Sequence, residues 1–178
     1  MLKRSTALAL ALLMTVTVLA GCMRTQTAAT VPALELPENV AEKTPSSDAS
    51  YEDNLDGLCS YLEVNSALAR GDNDAAFTEM SYKEIGAVGG YRYRFTCGSS
   101  TVQAEFYEFD LENLDEKAQT CISSVQMLGY FTILGNDVQA QLSNSGKYMM
   151  IYHDTGKAEV NSLERDWLEK CFTGFKAG

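Results

Sequence analysis

Two short runs in the middle of the chain fix much of what it can become. Tyr91-Arg92-Tyr93-Arg94-Phe95 alternates aromatic with basic, and Val102-Gln103-Ala104-Glu105-Phe106 alternates apolar with polar. A period of two is the strand period, which sends successive side chains to opposite faces. Cys97-Gly98-Ser99-Ser100 between the runs reads as a tight turn. Pairing Thr96 with Thr101 puts Tyr91, Tyr93 and Phe95 on one face with Val102, Ala104 and Phe106. The same register sets Arg92 opposite Glu105 and Arg94 opposite Gln103, a favourable cross-strand arrangement. A hairpin with one apolar face needs a second layer to cover it.

Helical periodicity supplies that layer. Leu55, Leu58, Cys59 and Leu62 recur at helical spacing, with Glu52, Asp53 and Asp56 at the end where a helix favours negative charge. A helical turn is expected near Asp74 to Lys83. Asn113 and Glu116 have capping-pair spacing ahead of a stripe of Leu114, Ala118, Cys121, Ile122 and Val125, and Gly129 closes it. Asn161 and Glu164 have the same spacing before Leu163, Trp167, Leu168, Cys171, Phe172 and Phe175. Tyr130 to Leu134, Val138 to Leu142 and Tyr148 to His153 read as three further strands. The sum is an α+β fold, with about three helices packed on one face of a twisted antiparallel sheet of about five strands. That single domain is expected to span residues 51–178.

What precedes it has a different character. Lys3 and Arg4 are followed by an uncharged, mostly apolar run from Ala7 to Ala20, too short to cross a bilayer as a helix. A basic start, a short apolar stretch and small residues at its end describe a secretory signal, residues 1–21. Leu19-Ala20-Gly21-Cys22, with Val18 before it, resembles the lipobox of bacterial lipoproteins. That resemblance implies cleavage just before Cys22 and a diacylglyceryl group on its thiol, with the acyl chains as the membrane anchor. Two or more acyl chains hold a protein stably on a bilayer without spanning it. The implied location is the extracytoplasmic side of a bacterial membrane. Met23 to Ser50 holds all three prolines and no sustained apolar period, so residues 22–50 read as the lipidated cysteine plus a flexible linker. The Tyr107-Glu108-Phe109-Asp110 end of the hairpin, the central helix and the Gly146-Lys147-Tyr148 strand are also similar to small lipidated bacterial domains of unknown function. That likeness implies no activity.

Charge narrows the partners. The chain carries 14 Lys plus Arg against 24 Asp plus Glu, a formal −10. Such a surface repels a phosphate backbone, so no nucleic acid is expected. The domain should also stand off from anionic headgroups, leaving the lipid as its only membrane contact.

Few residues carry chemistry. His153 is the only histidine, so a multi-histidine metal site is excluded within the chain. A Ser–His or Cys–His nucleophilic pair would have to use it, beside Asp154. Cys59, Cys97, Cys121 and Cys171 remain after Cys22. An even count in an exported chain invites disulfides, with three connectivities open. Three of the four lie on apolar helix stripes, where a free thiol behaves as a small hydrophobe. No Cys-x-x-Cys occurs, so zinc-knuckle and thioredoxin-like sites are unsupported. Asp72-Asn73-Asp74 begins like a calcium loop, but Ala76 and Phe77 stand where a ligand and a glycine are needed. No cofactor or metal is implied.

The outward face of the hairpin is the remaining candidate. With the aromatics of the first run turned to the core, Arg92, Arg94, Glu105 and Tyr107 point outward, and Tyr148 and Tyr152 are expected to join them. Tyr and Arg are favoured where proteins grip partners. The expectation is a non-enzymatic, lipid-anchored binding or accessory module of the cell envelope, taking a protein, peptide or glycan. The alternatives are an envelope hydrolase using His153 and a thiol-redox module.

Overall fold

The computed structural model describes residues 30–177; the signal, the lipobox and Cys22 lie outside them. Among the described residues the fold is α+β, with three α-helices and a five-stranded antiparallel sheet. The strands are β1 (Phe77–Glu79), β2 (Gly89–Cys97), β3 (Ser100–Glu108), β4 (Tyr130–Ile133), β5 (Asn136–Gln139), β6 (Gln141–Leu142) and β7 (Tyr148–His153). The helices are α1 (Leu55–Val64), α2 (Glu116–Leu128) and α3 (Glu159–Gly174). The sheet runs β1-β2-β3-β7-β6, and β4 and β5 form a separate two-stranded ribbon. The central hairpin has the register its alternation requires, with Arg92 across from Glu105, Arg94 from Gln103 and Thr96 from Thr101. Gly98, at φ 58°, supplies the positive φ of the two-residue link.

Four expectations need correction. The helices do not share one face. Leu58, Leu62, Trp167, Leu168, Phe172 and Phe175 of the α1–α3 side pack with Tyr93, Phe95, Ala104, Phe106 and Tyr148. Ala118, Cys121 and Val125 of α2 pack instead with Tyr107, Phe109 and Met149. Adjacent residues on a strand face opposite ways, so Phe106 and Tyr107 belong to two cores. The strand pair at Tyr130 is likewise real but detached from the main sheet, packing on α2. The segment expected as a helical turn near Asp74 to Lys83 instead forms β1, paired to β2, before a 3-10 turn at Lys83–Ile85.

The fourth correction concerns the linker. Residues 30–50 form a strap on the domain. Thr96 N donates to Pro32 O and Leu34 N donates to Thr96 O, both at 2.8 Å. Val40 is buried in the larger core, with Leu34 and Leu36 packed against it. Lys170 Nζ donates to Lys43 O at 2.6 Å, and Lys176 N to Asp48 Oδ2 at 2.6 Å. The folded body therefore begins before Val40 and not at Tyr51. Residues 22–29 of the expected linker lie outside the described residues.

Candidate functional site

Alternation along three strands builds one polar surface. Arg92 and Arg94 of β2, Gln103 and Glu105 of β3, and Ile151 and His153 of β7 share the face on which α2 sits. The helix covers only the Tyr107–Met149 end. Beyond it Arg92, Arg94, Gln103 and Glu105 stay half-buried, Ile151 packs against the rim of that core and His153 is exposed. Glu105 organises this patch. Its Oε2 accepts from the Tyr107 hydroxyl at 2.7 Å, and its Oε1 accepts from Gln103 Nε2 at 3.0 Å. Arg92, across the ladder, donates to Thr78 Oγ1 at 3.3 Å. Among the described residues neither Arg92 nor Arg94 has a carboxylate within 4.0 Å. In a chain of formal charge −10, two half-buried guanidinium groups without an ion pair form a distinct local feature.

The remaining residues expected on this surface are elsewhere. Tyr107 is on the right face but only 5% exposed, because α2 lies over it. Burial, then its bond to Glu105, pushes the phenol up. Tyr148 and Tyr152 have the opposite parity and lie on the α1–α3 face. Tyr148 is fully buried, donates to Asp53 Oδ1 at 2.7 Å and packs edge-on against Phe175. The structure thus brings Arg92, Arg94 and Glu105 together and separates both tyrosines of β7 from them.

A second polar cluster, invisible in the sequence, sits where β2, β3 and β7 end under α3. Asp154 Oδ1 accepts from Ser100 Oγ at 2.7 Å and Gly156 N at 2.8 Å. Asn161 Nδ2 donates to Asp154 Oδ2 and Ser100 Oγ, each at 2.8 Å. Burial raises the Asp154 carboxyl, but these bonds outweigh it and hold the group below its usual range. A Cβ on Gly156 would lie 2.3 Å from Asn161 Nδ2, so the knot requires glycine there. Beneath it Glu164 is fully buried, accepts at Oε2 from the Tyr152 hydroxyl and leaves Oε1 without a partner. Desolvation pushes this carboxyl up to about 7. Asn161 and Glu164 are thus inward-facing residues inside α3, which starts at Glu159, and not a cap pair at its start.

The chemistry expected of His153 and the cysteines is not assembled among the described residues. Ser100 bonds Asp154 and Asn161, with no serine or cysteine bonded to the imidazole. Cys59, Cys97, Cys121 and Cys171 are free and buried, so none of the bridges that an even count invites is formed. Cys121 belongs to the α2 core while the other three belong to the α1–α3 core, and the sheet stands between. Burial pushes Cys59 and Cys171 to about 12 and Cys97 and Cys121 to about 11, which suppresses the reactive thiolate.

Two concavities accompany these clusters. A cleft of about 420 Å³ between α2 and the ribbon has Ile85, Cys121, Phe131 and Ile133 in its wall, and the Lys117–Glu84 pair at 3.5 Å beside it. A groove of about 380 Å³ runs beside β7 and is lined by Gln139, Gln141, Tyr152, His153, Arg165 and Glu169, among others. Among the described residues no group of three or more His, Cys, Asp or Glu is placed to hold a metal. No helix of the described residues is long and apolar enough to cross a membrane. No family model matches the chain, and neither a curated protein nor a solved structure matches it.

Proposed function

We propose that the chain is a lipid-anchored extracytoplasmic domain of a bacterial envelope, a non-enzymatic binding module that holds a protein, peptide or glycan. The lipobox-like Leu19-Ala20-Gly21-Cys22 supports the anchor. The observation that carries the binding role is the part of the sheet beyond α2, where Arg92 and Arg94 have no ion-pair partner among the described residues and lie beside the Gln103–Glu105–Tyr107 chain. Half-buried guanidinium groups beside fixed acceptors suit recognition of polar partners, because Arg forms directional, multiply bonded contacts.

A photo-crosslinking residue in place of Arg94 tests this surface in cells that make the full chain. Discrete adducts are expected, and Arg92→Glu in the same chain should weaken them at unchanged protein level. Absence of any adduct from position 94 would discard the face as a docking surface.

A further inference from the structure

The strands that flank β3 in the main sheet, β2 and β7, have their outer edges covered differently. Along the outer edge of β2, β1 covers Tyr91 to Tyr93, Ala76 O accepts from Arg94 N, and the strap pairs with Thr96. That edge is closed to its end. The opposite edge belongs to β7, where β6 pairs only with Met149 and Met150. The chain then turns away, as Ala140 N donates to Gly129 O at 3.0 Å on its way from the ribbon.

Backbone direction identifies what this leaves open. Tyr148 O accepts from Ser143 N at 2.9 Å, so Tyr148 directs its backbone groups toward β6. Strand residues alternate in this respect. Met149, Ile151 and His153 therefore turn theirs to β3, and Met150 and Tyr152 turn theirs outward. Met150 meets Gln141 of β6; Tyr152 meets no strand among the described residues. Tyr152 lines the groove of about 380 Å³ on that side of β7.

We propose that this edge of β7, at Tyr152, takes an extended segment of a partner polypeptide as an added strand. The inference rests on reading the domain as a binding module and says where an extended partner is gripped. An unpaired donor and acceptor on one extended residue are matched by the donor and acceptor of another extended backbone. The groove selects between occupants. The edge lies in a groove with Gln139 and Gln141 on one side and Arg165 and Glu169 of α3 on the other, a shape that suits a single extended peptide better than the edge of a folded sheet. Arg165, whose guanidinium carbon lies 5.1 Å from the Tyr152 ring centroid, and Asp154 flank its path with opposite charges.

The test uses the full chain in mild detergent and pooled N-acetylated hexapeptides of scanned composition, with the Tyr152 amide followed by hydrogen exchange. At least one pool should slow that amide tenfold or more in a saturable way. Backbone N-methylation of the selected peptides at alternate positions should abolish the effect. Gln139→Trp, which fills the groove, should weaken capture at least tenfold, whereas Asp72→Asn, exposed ahead of β1 at the far edge of the sheet, should leave it unchanged. Protection by no pool, or equal capture of methylated and unmethylated peptides, overturns the added-strand mode. Acylation of Cys22 with no peptide captured overturns the docking edge and leaves the anchor standing. Capture by a chain unmodified at Cys22 supports the edge and removes the tether.

Discussion

The hydroxyl of Tyr152 donates to Glu164, and among the described residues that bond is the only one made by a carboxylate sealed between α3 and the sheet. Burial holds Glu164 near 7 in the folded chain, against an ordinary 4.5. A raised carboxyl favours the folded state when protonated. Its effect is therefore least costly below pH 4.5, grows more costly as pH rises toward about 7, and is then level. The full cost is about 3 kcal/mol. Glu164→Gln should flatten the stability-versus-pH curve between pH 5 and 8, gaining most at pH 8. Chemical denaturation at the two pH values measures this, and an unchanged pH slope in the variant would show that Glu164 is not the titrating group.

The four thiols of the domain make a second expectation concrete. All are buried and all are pushed above their ordinary range. A small alkylating reagent at pH 8 should label none of the four in the folded protein. After denaturation without reductant it should label all four. Two or more thiols lost until reduction would instead reveal a bridge.

Tyr107 shows what the sequence displayed and what it withheld. A period of two puts it beside Gln103 and Glu105, and that parity is right. Periodicity says which residues share a face, but not which length of that face another element covers. The apolar stripe of α2 was legible; its placement on the opposite side of the sheet from α1 and α3 was not. The same holds for the ribbon, whose alternation marks strands without naming their neighbours. The strap was missed for a different reason. It is held by backbone bonds to Thr96 and by irregularly spaced Leu34, Leu36 and Val40, none of which produces a period. Asn161 and Glu164 misled outright, since a capping pair and two neighbours on one buried helix face share the spacing i, i+3.

The burial of Tyr107 decides how the open face can be probed. Tyr107→Ala removes a ring from the α2 core and should cost about 3–5 kcal/mol, so any lost binding would reflect unfolding. Tyr107→Phe removes only the bond to Glu105 and should cost about 1 kcal/mol. Thermal unfolding of the two variants separates these costs. A near-neutral Tyr107→Ala would mean that α2 does not seal this residue.

The anchoring of the domain is tested most directly by the intact mass of the protein extracted from the membranes of cells that make it. The predicted species begins at Cys22 and carries a diacylglyceryl thioether on that residue. A chain retaining Met1, or one cut before Cys22 with an unmodified thiol, would contradict the envelope-anchored account.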